Sequence, residues 1–350
     1  MELNSPVVYR PRVFLFAQNL ILKRGGTMQD QFQRPIDYLR ISVTDRCNLR
    51  CRYCMPAEGV QWMPHESILS FEEILRIMRL STQLGFRRFR ITGGEPLVRK
   101  DILGFLSEAA QLPGVEDLML TTNGMLLPEM AFDLKAAGVQ RVNISLDTMD
   151  PGRFHDITRG GDVSRVIQGI FRSLEAGLKP VKINVVVVRG FNTEELPSFL
   201  TLAKQYPLHV RFIELMPIGI SSEHRTDFVS INEMKELLGI KDYIPTQQIT
   251  GGGPAEYFQP SEYKGSIGFI SALSQHFCNT CNRVRLTADG KLRACLHSKH
   301  EVDLRESLRN GSSDKDVLEL LAQAVWRKPA QHHMNDEAWQ DERVMSQIGG

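Results

Sequence analysis

The sequence has little cysteine, no strong excess of charge and no long apolar segment. Its 350 residues include six cysteines and carry a formal net charge of +1. Neither a disulfide framework nor a general attraction to nucleic acid or to an anionic membrane is therefore expected. The apolar run at residues 13–22 is shorter than the roughly 20 residues that span a bilayer. These absences predict a cytoplasmic protein with free thiols, and no nucleic-acid or membrane partner.

The cysteines that are present form two triads, far apart in the sequence. They are Cys47, Cys51 and Cys54, spaced C-x3-C-x2-C, and Cys278, Cys281 and Cys295, spaced C-x2-C-x13-C. Because iron–sulfur cubanes usually take four cysteines, three thiolates leave one iron open to bind and activate a small molecule. The first spacing favours such a cluster over zinc, whose structural sites usually pair C-x2-C halves. For the second triad, His297 offers a fourth ligand, and spacing alone leaves a cluster and a Cys3His zinc site equally open.

Short β-like runs alternate with amphipathic helical segments over residues 37–217. The predicted strands are residues 38–44, 87–92, 116–122, 140–146, 181–188 and 209–215, and the predicted helices between them are residues 71–84, 102–111, 128–137, 163–176 and 194–205. Ser70 with Glu73 is typical of a capping box, and Gly85, Gly138 and Gly177 lie where helices should end. This alternation predicts parallel βαβ units with right-handed crossovers.

The position of the chemically informative residues favours a curled sheet over a flat one. Turns with such residues follow most strands: the first triad, Gly93-Gly94-Glu95-Pro96, Asn123-Gly124, Ser145-Leu146-Asp147 and Met216-Pro217. They meet at one mouth only if the sheet curls, whereas a flat sheet would place the site at one switch point. Six units are fewer than the eight of a closed barrel. The sequence therefore predicts an α/β fold, an incomplete (β/α)6 TIM-like barrel with a C-terminal extension.

The pattern divides the chain into four parts. Residues 1–34 are expected to be a disordered N-terminal extension, with Met28 as the natural start and a processed leader as the alternative. Residues 35–220 form the partial barrel, and residues 221–330 carry the second triad. Residues 331–350 are a polar tail that ends in Gly-Gly.

The first triad with its surroundings resembles the radical S-adenosylmethionine superfamily. The resemblance lies in Cys47-Asn-Leu-Arg-Cys51-Arg-Tyr53-Cys54, followed one βα unit later by Gly-Gly-Glu-Pro. It implies a [4Fe–4S] cluster that binds S-adenosylmethionine and cleaves it, with an external reductant, to a 5′-deoxyadenosyl radical. The implied contacts to S-adenosylmethionine are Tyr53, Gly94, Ser145 and Met216.

Four of the predicted strands carry a cation that has an apolar residue on each side. These are Arg40, Arg90, Lys182 and Arg211. Strand cations usually reach water, but helices cover the outer face of a barrel, so these side chains are expected to point inward. Buried cations without an anion are strongly unfavourable, and several together predict a small polyanion such as a triphosphate. Arg283 and Arg285, two residues apart on an extended segment, would share one face and join them.

The segment around the second triad resembles the GTP 3′,8-cyclase family of molybdenum-cofactor synthesis. The run Asn279-Thr280-Cys281-Asn282-Arg283-Val284-Arg285, followed by Cys295, carries the resemblance, together with VTDRCNLRCRYCMP, ITGGEP, TTNG, NISLD, ELMPIG and the Gly-Gly end. It implies a second [4Fe–4S] cluster, on the C-terminal extension. The implied substrate contacts are Arg40, Arg90, Thr121, Lys182, Arg283, Val284 and Arg285, with Arg283 and Arg285 also catalytic.

That resemblance implies a complete reaction. A radical removes hydrogen from C3′ of GTP, and C3′ attacks C8 to give (8S)-3′,8-cyclo-7,8-dihydroguanosine 5′-triphosphate, which a downstream pyranopterin-forming enzyme receives. It also implies that the Gly-Gly end enters the active-site cavity, and that the chain forms a homodimer. Two alternatives remain open: a radical S-adenosylmethionine peptide maturase with an auxiliary cluster, and a non-catalytic iron–sulfur or zinc binding module.

Overall fold

The computed structural model describes residues 26–218, 225–240, 245–246, 253–334 and 343–349. Its strands are β1 (Tyr38–Ser42), β2 (Arg88–Thr92), β3 (Asp117–Thr122), β4 (Arg141–Ser145), β5 (Val181–Val187), β6 (Leu208–Glu214), β7 (Glu256–Phe258), β8 (Ser266–Ile270), β9 (Arg283–Leu286), β10 (Lys291–Arg293) and β11 (Val302–Asp303). They form one sheet in the order β11-β10-β9-β1-β2-β3-β4-β5-β6-β8-β7. All strands from β9 to β8 in this order are parallel, and antiparallel pairs flank them on both sides.

Helices connect the parallel strands in the predicted alternation. They are α1 (Phe71–Gln83), α2 (Ile102–Gln111), α3 (Leu127–Ala136), α4 (Pro151–Thr158), α5 (Val163–Glu175) and α6 (Leu196–Gln205), followed by α7 (Ile231–Leu237), α8 (Leu304–Arg309), α9 (Asp314–Trp326) and α10 (Met345–Ile348). Each of the six predicted strands is present, with ends within two residues of the prediction. In the described ranges no helix has the length and apolarity to cross a membrane.

Local sequence signals explain where several helices begin and end. Ser70 Oγ accepts a hydrogen bond from Glu73 N at 3.2 Å, and the Glu73 carboxylate accepts one from Ser70 N at 2.7 Å, so the predicted capping box is confirmed. The sequence prediction did not include α4, although its start signal is present. Asp150 accepts a hydrogen bond from Arg153 N at 2.8 Å, and Pro151 occupies the first helical position.

Alternation along the strands separates the core from the site. On β5, Val181, Ile183 and Val185 are fully buried in the hydrophobic core. Successive strand side chains point to opposite faces, so Lys182 and Asn184 lie on the other face of the sheet. The two faces of the sheet therefore differ in chemistry: one is apolar and the other carries polar and cationic groups.

The region after residue 221 is continuous with the sheet. β8 pairs in parallel with β6, and β9 pairs in parallel with β1. The predicted C-terminal extension thus supplies one parallel strand on each side of the six predicted ones. Because β9 carries Arg283 and Arg285, this pairing places both arginines beside β1.

The N-terminal extension predicted to be disordered, residues 1–34, includes residues that are packed in the structure. Residues 1–25 lie outside the described residues, but residues 28–34 pack against the body of the protein. Arg34 and Asp30 form an ion pair at 2.6 Å in which the two side chains are 6% and 0% exposed. Arg34 also donates to the carbonyl oxygen of Cys278 at 2.8 Å. For residues 28–34 the expectation of disorder is wrong, because these contacts tie them to the second triad.

Arg34→Ala is expected to destabilise the fold strongly. It leaves the Asp30 carboxylate buried without its cation, which typically costs about 3–5 kcal/mol, and it removes hydrogen bonds to the carbonyl oxygens of Pro329 and Ala330. The free energy of unfolding from denaturant titration measures the loss. Arg172→Ala removes an exposed pair with Glu175 and should cost less than about 1 kcal/mol. Equal losses in the two variants would contradict the role given to Arg34.

Candidate active site

A large cavity lies at the carboxyl ends of the parallel strands and brings the two cysteine triads together. Residues from β1 to β6, β8 and β9 contribute to its lining. The cysteines in the lining are Cys47, Cys51, Cys54, Cys278, Cys281 and Cys295, and all six are free thiols. Groups that are far apart in sequence therefore share one cavity.

Most predicted site residues line the same cavity. They are Tyr53, Gly94, Ser145 and Met216, and Arg40, Arg90, Thr121, Arg283 and Arg285. Two predicted residues are absent from the lining. Val284 is 1% exposed and belongs to the hydrophobic core, because its side chain must face away from those of its two arginine neighbours. Lys182 is 3% exposed, with Nζ 5.2 Å from the centre of the Tyr257 ring.

The loop that carries the first triad is held against the turn that follows β2. Gly94 N donates to Thr44 O at 2.7 Å, and Glu95 N donates to Arg46 O at 2.8 Å. A Cβ atom on Gly94 would lie 2.4 Å from Arg46 O, so only glycine allows this approach of the two backbones. The Gly-Gly-Glu-Pro turn therefore fixes where the cysteine loop begins.

A buried carboxylate organises the turn after β3. Glu95 accepts hydrogen bonds from Thr122 Oγ1 at 2.8 Å and from Asn123 N at 2.7 Å. Burial raises the pKa of Glu95 to about 7 although these hydrogen bonds oppose the shift. The Asn123 side chain lies 3.8 Å from Cys47 Sγ. Sequence reasoning identified Asn123 as part of a turn but missed this contact, which the position of the turn after a parallel strand could have suggested.

Tyr53 connects the first triad to β4 and β5. Its hydroxyl donates to the Asp147 carboxylate, whose other oxygen accepts a hydrogen bond from Val186 N at 2.8 Å. Burial raises the pKa of Asp147 to about 6, and burial together with Asp147 raises the pKa of Tyr53. Sequence reasoning assigned no role to Asp147, although its place at the end of β4 was a signal.

The first triad has the properties expected of cluster ligands. Burial raises the pKa of Cys47 to about 11, and burial with repulsion between neighbouring thiolates raises the pKa of Cys51 and of Cys54. The three side chains are half-buried, and three adjacent thiolates in such a place are stable only if positive charge compensates them. Iron in a cubane supplies that charge and binds thiolate directly, so these residues fit a [4Fe–4S] cluster.

Cations surround the second triad. Burial would raise the pKa of Cys281, but Arg283 and Lys328 lower it to about 6. Lys328 Nζ donates to the carbonyl oxygens of Arg283 at 2.8 Å and Ala294 at 2.6 Å, which tethers the chain beside Cys281 and Cys295. Sequence reasoning missed Lys328, because a single lysine after a helix carries no motif.

The position of His297 bears on the zinc alternative for the second triad. His297 does not line the cavity that the three thiols line; its Nδ1 accepts a hydrogen bond from His333 N at 3.2 Å. The proposed fourth zinc ligand therefore lies outside the cavity lining.

Arginines form a band across the cavity floor. Arg285, Arg40 and Arg90 are in register on β9, β1 and β2. Arg211 Nη2 donates to the Asn184 amide oxygen. The Nε atoms of Arg90 and Arg211 are buried without a hydrogen-bond partner in the described ranges. Sequence reasoning noted Arg211 as a strand cation but did not include it among the site residues.

The pKa values show that positive charge is crowded here. Burial, reinforced by Arg211, Arg141 and Arg90, lowers the pKa of Lys182 to about 6. Burial, reinforced by Arg283, lowers the pKa of Arg285 to about 10. Neighbouring cations rather than carboxylates thus dominate the surroundings of both groups, and the band has the electrostatics of an anion-binding site.

The Gly-Gly end approaches this band. Gly349 O accepts a hydrogen bond from Arg285 Nη1 at 2.8 Å. Gly349 has φ +81°, and a Cβ atom there would lie 2.7 Å from Thr92 Oγ1 and 2.9 Å from Ser42 Cβ. Gly349 therefore lies against a residue of the cavity lining, while Gly350 lies outside the described residues and entry of this end into the cavity stays a prediction.

Comparisons with known proteins bear on the family and the fold. The Radical SAM superfamily model matches residues 41–203, and the Molybdenum Cofactor Synthesis C model matches residues 208–334. The chain is similar in fold to Streptococcus suis SuiB bound to S-adenosylmethionine (16% identity, TM-score 0.56) and bound to precursor peptide SuiA (16%, 0.57). The two alignments each cover 84% of this chain, and they cover 64% and 65% of the respective SuiB chains. Fold and first triad define a radical S-adenosylmethionine protein, which implies a [4Fe–4S] cluster and S-adenosylmethionine.

Closer relatives identify the family. GTP 3′,8-cyclases of Heliobacterium modesticaldum, Syntrophomonas wolfei and Moorella thermoacetica are 53%, 50% and 51% identical to this chain. Each match covers 92% of this chain and 100% of the relative. The chain belongs to the GTP 3′,8-cyclase family.

Gly94→Ala is expected to displace the first cysteine loop, because the new Cβ atom cannot coexist with the backbone of Arg46. Reconstituted protein should lose iron at the first triad and bind S-adenosylmethionine at least about tenfold more weakly. Iron content and equilibrium binding measure both effects. Gly104→Ala in α2 is the matched control, since a Cβ atom there meets nothing within 4 Å. Wild-type iron content and affinity in Gly94→Ala would refute the steric argument.

Proposed function

We propose that this chain is a GTP 3′,8-cyclase that converts GTP to (8S)-3′,8-cyclo-7,8-dihydroguanosine 5′-triphosphate, the first step of molybdenum-cofactor synthesis. The observation that carries the proposal is one cavity in which two cysteine triads face a band of crowded cations. The triads suit radical chemistry, and the cations suit the triphosphate of the substrate. The family relationship supports the same reaction.

Cys47, Cys51 and Cys54 hold the first [4Fe–4S] cluster, and Cys278, Cys281 and Cys295 hold a second one. When bound, the first cluster and S-adenosylmethionine supply the carbon radical that removes hydrogen from C3′ of GTP. Tyr53, Gly94, Ser145 and Met216 contact S-adenosylmethionine. The second assignment is supported by the low pKa of Cys281 and by the engagement of His297 away from the cavity.

Cations bind the substrate and orient it. Arg40, Arg90, Lys182 and Arg211 suit the triphosphate, Thr121 lies beside Arg90 (Oγ1 to Nη1, 3.4 Å), and Val284 contributes through its backbone. Arg283 and Arg285 contact the nucleotide near the second triad and act in catalysis. Fixing the triphosphate at one end and the purine at the other presents C3′ to the radical, which is a positioning effect of the kind that controls which bond reacts.

The wider assignments follow from the same features. The parallel sheet curls into an incomplete barrel, because strands from β9 to β8 all contribute to one cavity. We retain residues 35–220 as the barrel unit, 221–330 as the auxiliary-cluster unit and 331–350 as the tail. An external one-electron reductant, a downstream pyranopterin-forming enzyme and a second copy of the chain are the proposed partners. Six unpaired thiols support a reducing, cytoplasmic compartment.

Anaerobic incubation with GTP, S-adenosylmethionine and a chemical reductant tests the proposal. Mass spectrometry should detect 5′-deoxyadenosine and a cyclised guanosine triphosphate that retains its phosphates. Elemental analysis should find about eight irons and no zinc, as two four-iron clusters require. A protein that contains zinc, or that cleaves S-adenosylmethionine without modifying GTP, would favour the binding-module or the peptide-maturase alternative.

Arg285→Ala should separate radical generation from cyclisation. The variant keeps both triads, so iron content and 5′-deoxyadenosine release should persist, while the cyclised nucleotide falls by about a hundredfold because the substrate loses an orienting contact. Product analysis by mass spectrometry measures the ratio. Arg172→Ala, on the outer surface of α5, serves as control and should behave as wild type. Unchanged cyclised product in Arg285→Ala would defeat the substrate assignment.

GTP binding should be accompanied by proton uptake at Lys182. With its pKa at about 6, this amine is largely neutral at pH 8, and a neighbouring triphosphate raises its pKa and restores the charge. Because the complex holds the additional proton, affinity should weaken as the pH rises above about 6. Titration calorimetry in buffers of different ionisation enthalpy should give about one proton per GTP.

Lys182→Met should abolish that uptake, whereas Lys264→Met, which removes an exposed lysine, should leave it unchanged. Proton uptake that persists in Lys182→Met would assign the effect to another group.

A further inference from the structure

Segment 343–349, which places Gly349 against Arg285, is anchored by Arg343, an arginine with two carboxylate partners. Arg343 contacts Asp289 through Nη1–Oδ1 at 3.1 Å and Nη2–Oδ2 at 2.9 Å. It contacts Glu301 through Nη2–Oε2 at 2.8 Å and Nε–Oε1 at 2.8 Å. Both pairs are bidentate, the arrangement in which an arginine fixes direction as well as distance.

These ion pairs are more shielded than ordinary surface pairs. The side chains of Arg343, Asp289 and Glu301 are 18%, 12% and 21% exposed. Exposed ion pairs typically contribute little to stability. Shielding from water and the sharing of one guanidinium by two carboxylates strengthen the attraction between Arg343 and its partners. The anchor is therefore suited to holding a short segment in one place.

The partners of Arg343 lie in the turn of the β9–β10 hairpin, which carries site residues, and in the segment just before β11. Asp289 lies in the turn between β9 and β10 and accepts a hydrogen bond from Thr287 Oγ1 at 2.5 Å. Glu301 is 3.7 Å from Arg293, which is 1% exposed and lies two residues before Cys295. The anchor is thus built on the same rigid unit as Arg283, Arg285 and the last cysteine of the second triad.

A single helical turn, α10, connects Arg343 to Gly349, which contacts Arg285. Within α10, Gly349 N donates to Met345 O at 3.2 Å, and Val344 N donates to Gln347 Oε1 at 3.2 Å. Ile348 is 1% exposed and packs in a small cluster with Ile218 and Met334. A helix this short has no stability of its own, so its place depends on these end contacts.

We propose that Arg343 is a positioning residue of the active site, which holds Gly349 against Arg285 through its paired contacts with Asp289 and Glu301. The hydrogen bond from Arg285 Nη1 to Gly349 O directs the guanidinium, and the remaining N–H groups of Arg285 are left for the substrate. The consequence for turnover rests on the proposed function; the anchoring itself does not.

Arg343→Ala tests both parts. Hydrogen–deuterium exchange at residues 344–349 should accelerate, because ordering this segment without its anchor costs more backbone entropy than the remaining contacts offset. The amount of cyclised nucleotide formed per S-adenosylmethionine cleaved should fall by about a hundredfold, while 5′-deoxyadenosine formation continues. The kcat for cyclisation should fall, and the KM for S-adenosylmethionine should stay unchanged. Arg343→Lys, which cannot form two forks, should recover part of the yield.

Arg309→Ala is the matched control. Arg309 also holds a carboxylate in a bidentate pair, with Glu73 at 2.6 and 2.9 Å, but on α8 outside the cavity. It should leave exchange at residues 344–349 and product yield at wild-type values. Gly349→Ala keeps the contacts of Arg343 but prevents residue 349 from occupying its position, since the new Cβ would overlap Thr92 Oγ1. This variant should reproduce the loss of cyclised product.

The outcomes separate the two levels of the proposal. Wild-type exchange at residues 344–349 in Arg343→Ala would overturn the anchor. Faster exchange with undiminished cyclisation would overturn the positioning role. If the wild-type protein itself fails to cyclise GTP, the proposed function fails, and the exchange measurement still decides whether Arg343 anchors the segment.

Discussion

Arg90 and Arg211 are buried cations whose Nε atoms have no hydrogen-bond partner among the described residues, and the cavity around them depends on how such charge is compensated. Their nearest polar contacts are neutral: with its amide oxygen turned toward them, Asn143 accepts hydrogen bonds from both guanidinium groups. Amides satisfy donors without cancelling charge, so these two arginines are suited to an anionic ligand that would compensate it. The first triad is the converse case, since its three thiols can ionise together only if a cationic partner compensates the thiolates.

Other buried charges are used to shape the loops around this cavity. Glu214, at the end of β6, is fully buried and accepts hydrogen bonds from Leu273 N at 2.7 Å and Ser274 N at 3.0 Å, as Glu95 does for the turn after β3. Lys328 performs the complementary task for carbonyl oxygens beside the second triad. Loops without regular secondary structure cannot satisfy their own backbone groups, and these side chains replace the missing pairing.

Much of the fold, and part of the site, was predictable from the sequence. Strand–helix alternation predicts β1 to β6, and the spacing of the cysteines and of Gly93-Gly94 predicts which loops meet. Alternation within β9 also explains why Val284 faces the core. The parallel pairing of β8 with β6 and of β9 with β1 was not predictable in this way, because short strands separated by irregular chain carry no crossover pattern. Arg34 and Lys328 were equally hidden, since apart from Asp30, which pairs with Arg34, the partners named for them are carbonyl oxygens that any residue provides.

The contact between Arg285 and Gly349 is best understood as compatible with substrate binding. Gly349 offers one neutral carbonyl oxygen to Nη1, and a guanidinium has five N–H donors in a fixed fork. The carbonyl therefore leaves the charge of Arg285 uncancelled and can select which edge of the guanidinium faces the cavity. A carboxylate in the same place would have neutralised the arginine and competed with phosphate. A glycine carbonyl fits this position because it orients the cation, needs no room for a side chain and leaves the charge available to an anionic ligand.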